Sequence, residues 1–139
     1  MSDIPPETRG PTGGLTPYLT IKGRRAVEAI GFYAKAFAAE ELTRQPTDDG
    51  RLMHCHLRIN GDALLFSDDF PEWSGGRESA DPGGYTLHLQ VGDADAWFNR
   101  ALAAGCEATM PLDNQFWGDR YGKLRDPFGV NWSIGGPAT

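Results

Sequence analysis

The stretch Phe116-Trp117-Gly118-Asp119-Arg120-Tyr121-Gly122-Lys123-Leu124-Arg125-Asp126-Pro127-Phe128-Gly129-Val130-Asn131-Trp132 decides how this chain reads. It is too dense in aromatic, basic and glycine residues for an ordinary surface loop. At its centre Asp126-Pro127-Phe128-Gly129 carries turn chemistry, with Pro127 presetting φ and Gly129 tolerating the positive φ of a tight reversal. Its flanks, residues 116–124 and 130–134, therefore read as the antiparallel arms of a hairpin.

Working outward, a matching hairpin stands in the first half. Asn60-Gly61 joins the strand-like runs 52–59 and 62–67 and is the pair that best suits a two-residue type I′ turn. The two turns lie about 67 residues apart and close the same order of elements. In the first half, residues 15–21 alternate as a strand, and 24–38 place Val27, Ile30, Tyr33/Ala34 and Phe37 at helical spacing. Residues 40–44 form a short strand before a polar turn at 46–50. In the second half, 85–91 form a strand, and Asp93 suits the N-cap of a helix to Ala104, with Gly105 beyond its end. Trp97/Phe98 and Ala101/Leu102 make the apolar face of that helix, and 106–109 form a short strand.

Each half reads strand, helix, strand, strand, strand. An open sheet with a helix on one face needs cover on the other. The expected fold class is therefore α+β, with paired βαβββ modules at about 15–67 and 85–135 curling around a shared cleft. Residues 1–14 are expected to be a flexible arm and 15–139 one domain, with the Gly-, Pro-, Asp- and Ser-rich segment 68–84 as linker.

Composition narrows the partners. With 13 basic and 19 acidic residues the net charge is −6, which argues against nucleic acid, since no basic stripe is there to neutralise phosphates. No apolar run nears the roughly 20 residues of a membrane span, so no membrane partner is expected. Cys55 and Cys106 match no CxxC or zinc spacing and read as reduced core thiols. The opening residues lack a charged-then-apolar leader pattern, and a cytoplasmic protein is expected.

Strand parity selects the cleft face. Leu, Ile and Val should pack on the helices, leaving Thr16, Tyr18, Thr20, His54, His56, Arg58, Thr86, His88, Gln90, Asn131 and Ser133 on the polar side. All three histidines fall there. His54 and His56 start roughly 6.6 Å apart on one strand face. They read either as cleft-lining side chains or, with His88 as a third ligand, as a divalent metal site. Arg58, Arg120 and Tyr121 suit an anionic or carbonyl-bearing ligand or a solvated surface. Trp117, Tyr18 and Phe116 read as an aromatic wall or as packing. The Asp68-Asp69 and Asp93/Asp95 pairs read as turn and helix-start residues, with catalytic carboxylates the alternative.

With these residues assembled, the chain resembles PhnB-like members of the vicinal oxygen chelate superfamily, relatives of glyoxalase, bleomycin resistance protein and extradiol dioxygenases. The resemblance spans about residues 15–135. It rests on Thr16-Pro17-Tyr18-Leu19, Ala29-Ile30-Gly31-Phe32-Tyr33 with Phe37, Met53-His54, Asp93-Ala94-Asp95-Ala96, Ala103-Ala104-Gly105, and above all on Trp117 to Gly122 with Asp126 to Trp132. It implies paired βαβββ modules and a homodimer. Metal-using relatives place His, Glu or Gln on the first and last strands of each module, where this chain has Thr16, Thr86 and Ser133, and residues 65–67 likewise offer no ligand. Some PhnB-like proteins carry a demethylubiquinone methyltransferase label, but no glycine-rich nucleotide-binding turn is present here.

Three functions fit these residues. The first is a protein that binds a small organic molecule through Tyr18, His54, His56, Arg58, His88, Gln90, Trp117, Arg120 and Tyr121, with no cofactor and no metal at the usual positions. The second is a divalent-metal-dependent lyase, isomerase or oxygenase with a relocated site at His54, His56 and His88. The third is a non-catalytic dimerisation module. No catalytic residue is named.

Overall fold

The computed structural model describes residues 10–139. Most of the expected arm, residues 1–9, lies outside the described residues; residues 10–14 are exposed and carry no helix or strand. The chain divides into two compact units, one holding the chain up to Ala34 with Ala38–Ala80, the other Lys35–Phe37 with Asp81–Thr139.

In the first unit, β1 (Tyr18–Ile21) leads into α1 (Ala26–Phe37), whose last three residues belong to the second unit, followed by β2 (Glu40–Pro46), β3 (Leu52–Ile59) and β4 (Asp62–Asp68). The sheet order is β1-β4-β3-β2, parallel at β1/β4 and antiparallel elsewhere. The expected Asn60-Gly61 hairpin is present, with φ of 51° and 85° at the two turn residues, both positive as a type I′ turn demands. The core-facing stripe of α1 is Ala26, Ala29, Ile30, Tyr33, Ala36 and Phe37. Ile30, Tyr33 and Phe37 pack inside as expected, whereas Val27 faces out and, of the pair Tyr33/Ala34, Tyr33 holds the core. No side chain of its own caps α1. Asp68 at the end of β4 does so instead: its buried carboxylate accepts from Ala26 N at 3.0 Å and from Leu52 N at 2.7 Å.

The second unit repeats the order: β5 (Leu87–Gln90), α2 (Ala94–Ala104), β6 (Glu107–Asn114), β7 (Asp119–Arg125) and β8 (Asn131–Pro137), with sheet order β5-β8-β7-β6. Asp93 caps α2 by accepting from Ala96 N at 3.1 Å, and Gly105 ends it at φ 123°. The buried face of α2 is Ala94, Phe98 and Ala101, with Trp97 and Leu102 left towards solvent. Two glycines admit this helix. A Cβ on Gly122 would lie 2.8 Å from the Phe98 ring, and one on Gly136 would lie 2.6 Å from Val91 O. β6 runs well past the short strand expected, through Met110 and Pro111, with register shifts on either side of Met110 absorbing the proline. Phe116 and Trp117, expected inside the strand, precede β7 in a turn where Gly118 takes φ 99°.

The β7–β8 hairpin closes on Asp126. Its buried carboxylate accepts from Phe128 N (2.9 Å), Val130 N (3.0 Å) and Trp132 Nε1 (2.9 Å). Trp132, held this way, packs at 4.4 Å against the Phe37 ring. Both cysteines are free and buried, and burial first of all pushes each thiol up to about 12. Among the described residues no helix is long and apolar enough to cross a membrane.

Asp126→Ala strands these donors, at roughly 1–3 kcal/mol for each one left buried and unpaired. The expected loss is about 3 kcal/mol in denaturant-unfolding free energy, whereas Asp62→Ala, at an exposed strand end, should stay within about 0.5 kcal/mol.

Candidate functional site: two sheet faces with a tyrosine and a histidine

The strand registers bring the second unit's polar residues together. Parallel pairing of β5 and β8 sets His88 beside Ser133 and Gln90 beside Gly135, and β7 adds Tyr121 across from Gly135. His88 Nδ1 lies 2.7 Å from Ser133 Oγ, its Nε2 lies 2.8 Å from Gln90 Oε1, and Gln90 Nε2 donates to Asp119 Oδ2 at 3.0 Å. An amide oxygen only accepts, so this network assigns the His88 hydrogen to Nε2. The Ser133 hydroxyl then donates to the bare Nδ1. Ser133 is buried and supports the ring from beneath.

Gly135 makes the arrangement possible. A Cβ there would lie 2.9 Å from His88 Cε1 and 3.0 Å from Gln90 Oε1, so both side chains lie flat over the strand. Tyr121 stacks beside His88 at 5.8 Å and 29°. Trp117 meets Tyr121 at 5.8 Å and 65°, and Phe116 meets Trp117 edge-on at 5.0 Å. This row of rings ends in solvent: Trp117 is 52% exposed and Phe116 97%.

The first unit carries a related pair. Tyr18 Oη lies 2.9 Å from His54 Nδ1, with ring centroids 5.7 Å apart. Burial, then the neighbouring His56, holds the His54 imidazole below the usual histidine range, and burial holds the Tyr18 phenol above its own. Both are therefore neutral near pH 7. The phenol, the stronger acid, donates to Nδ1, which puts the His54 hydrogen on Nε2. His56 shares the strand face of His54 but is only 5% exposed.

The two pairs occupy equivalent positions. Leu65 neighbours Tyr18 and His56, while Ser133 neighbours His88 and Lys123. Laying Leu65 on Ser133 thus matches Tyr18 with His88 and, two residues back along the next strand, His54 with Tyr121. Tyrosine and histidine have exchanged strands between the units.

The structure places the arginines elsewhere. Arg120 sits on the α2 side of its sheet, where its guanidinium grips Asp95 at 2.9 and 3.0 Å and reaches Asn114 at 3.3 Å. Arg120 and Tyr121 were expected on one face. Consecutive strand residues point to opposite faces, and Tyr121 holds the polar one. Arg58 is exposed and pairs with Glu40 at 3.4 Å. Thr16 and Thr86 lie just ahead of β1 and β5, outside the strands. Among the described residues no three His, Cys, Asp or Glu side chains converge as a metal site would need. The sequence reading missed Asp119 and Gly135 as parts of the site. The glycine pair Gly135-Gly136 inside a strand was the available signal, since strand glycines mark close approach. An open polar recess of about 420 Å³ beside the β7–β8 turn, edged by Asp81, Arg125 and Asn131, lies apart from His88 and Tyr121 in its lining.

Two βαβββ units, each presenting a polar sheet face opposite its helix, define an α+β protein of the glyoxalase type. The chain belongs to the Glyoxalase/Bleomycin resistance protein/Dioxygenase superfamily, whose family description matches residues 17–134. It is 48% identical over 127 residues to the uncharacterized protein Mb0911c of Mycobacterium bovis, covering 88% of this chain and 82% of that one. Among solved structures it is similar to protein PA1353 of Pseudomonas aeruginosa, with a TM-score of 0.71, 29% identity, and coverage of 90% of this chain and 98% of that one. A PhnB protein of Bacillus cereus, described as a putative 3-demethylubiquinone-9 3-methyltransferase, shares the fold at a TM-score of 0.66 and 21% identity, covering 88% and 98%.

Because burial, then His56, holds the folded pKa of His54 below its unfolded value, the half-buried neutral imidazole contributes stability at pH above the ordinary histidine range. That contribution is lost as pH falls through the folded pKa. In thermal melts across this range, His56→Gln, which removes the neighbouring imidazole that opposes protonation of His54, should flatten the acid-side decline relative to the unmodified protein.

Proposed function

We propose that the chain is a small-molecule-binding member of its superfamily that holds a flat organic ligand on the ring row of the second unit. The observation that carries this reading is the combination of a fixed hydrogen-bond line, Ser133–His88–Gln90–Asp119, with half-exposed Trp117 beside Tyr121. A polar line locked in one tautomer next to an open aromatic surface supports recognition: stacking supplies affinity and the polar edge supplies orientation.

The donor set at the positions where metal-using relatives carry ligands does not fit a divalent first-row ion. Thr16, Thr86 and Ser133 offer neutral hydroxyls, and the Ser133 hydroxyl is already committed to His88. His88 has both ring nitrogens engaged, and His54 has Nδ1 engaged by Tyr18. No step of the reading runs through a metal.

A fluorescence titration with 1-naphthol tests it. Saturable quenching is expected, weakened about tenfold by Trp117→Ala, the order of a lost aromatic contact. Equal affinity in the variant would overturn the reading. Gly135→Ala should also weaken binding, because its Cβ drives His88 off Gln90, while the fold persists since the displaced atoms are side-chain ends.

A further inference from the structure

The open recess beside the β7–β8 turn has a chemistry that the ring row does not use. Arg125, at the end of β7, lies across from Asn131, at the start of β8, and its Nε donates to Asn131 Oδ1 at 3.4 Å. Both residues line the recess of about 420 Å³, a volume within the range of pockets that hold small molecules. Every other strand arginine is matched to a carboxylate: Arg44 to Glu41, Arg58 to Glu40 and Arg120 to Asp95. Arg125 has no carboxylate partner among the described residues, and Asn131 Oδ1 is its one acceptor. We propose that this recess is a binding site for the carboxylate of a small organic acid, with Arg125 as its anchor.

The hydrogen-bonding groups select an anion. A guanidinium only donates, so the atom that faces Arg125 Nε is the amide oxygen of Asn131, which leaves the amide NH2 as a donor. Nη1 and Nη2 of Arg125 and Nδ2 of Asn131 meet no acceptor among the described residues. Three nitrogens that only donate thus stand on paired strand positions at the recess. A carboxylate is the group whose two oxygens match the guanidinium fork. Binding here moves no proton and forms no covalent bond.

The rest of the lining sets what the carboxylate is attached to. Pro82, Pro127 and Phe128 give the recess apolar walls, which suit a ring or a short aliphatic body. These walls are in place before any ligand arrives. Asp126 fixes the turn by accepting from Phe128 N at 2.9 Å and Val130 N at 3.0 Å. A Cβ on Gly129 would lie 3.8 Å from Pro82, ordinary van der Waals contact, so Pro82 rests on that turn. Charge limits the ligand further. Asp81 in the lining, and Glu107 across from Arg125 on β6, both repel a second negative charge. The recess therefore favours a monocarboxylate over a phosphate dianion.

This site shares no residue with the aromatic row, and one titration separates them. Benzoate is added to the full chain labelled with 15N at arginine and asparagine. The expected result is saturable movement of the Arg125 Nε and Asn131 Nδ2 signals, with those of Arg44, Arg58 and Arg120 unmoved. Benzamide, the same ring without the charge, and inorganic phosphate should each bind about tenfold more weakly, the order of a lost charge-assisted pair. Arg125→Gln should abolish binding, and Arg125→Lys should weaken it several-fold through loss of the fork. Arg125 is exposed, so both variants keep the fold. Asp81→Asn should strengthen benzoate binding and raise that of phosphate more. Lys123→Gln, on the same strand but outside the lining, and Trp117→Ala should leave benzoate binding unchanged. No saturable shift, equal shifts at all arginines, benzamide as tight as benzoate, or binding that survives Arg125→Gln would each overturn the proposal, whatever 1-naphthol does at Trp117.

Discussion

The buried carboxylate of Asp126 holds the hairpin on which the second unit is built. It collects two backbone donors of its own turn and the indole N–H of Trp132. A hairpin closed this way cannot slip by one residue without stranding all three, and a one-residue slip would turn every side chain of β8 to the other face. The register of β8 decides that Ser133 lies under His88 and that Gly135 lies under Gln90. Asp68 performs the corresponding work in the first unit by joining the start of α1 to the start of β3.

Equivalent strands in the two units solve one packing problem with different residues. Where β4 ends in Asp68 and ties down a helix that lacks its own cap, β8 runs into Gly136, which lets Val91 and the first residue of the self-capped α2 approach the strand. Where the first unit has Tyr18 and His54, the second has His88 and Tyr121. The exchange changes the chemistry because the neighbours changed too. Leu65 offers His54 no hydrogen bond from its equivalent position, whereas Ser133 and Gln90 claim both nitrogens of His88. A duplicated scaffold therefore carries one closed imidazole and one open one.

Much of the fold was legible because its signals are local. Asn60-Gly61 and Asp126 to Gly129 are turns whose backbone angles particular residues supply, and Asp93 with Gly105 brackets α2 by capping chemistry alone. In α1 the large residues Ile30, Tyr33 and Phe37 set the buried stripe, but the choice of Ala26 over Val27 at its start is made only by the packed sheet. The early end assigned to β6 has a similar origin: Pro111 looks like a breaker until a register shift accommodates it.

What the sequence by itself determined is the repeat, the turns and the parity that puts all three histidines on the polar faces, because each follows from spacing of two or 3.6 residues and from turn chemistry. Tertiary structure decided which of those side chains meet. Arg120 went to Asp95 across the sheet, His56 was buried while His54 stayed open, and Gly135 made room for the His88–Gln90 bond. These outcomes depend on which strands lie side by side and in what register. Contacts between residues tens of positions apart are set by the packed sheets and are not written in any local pattern.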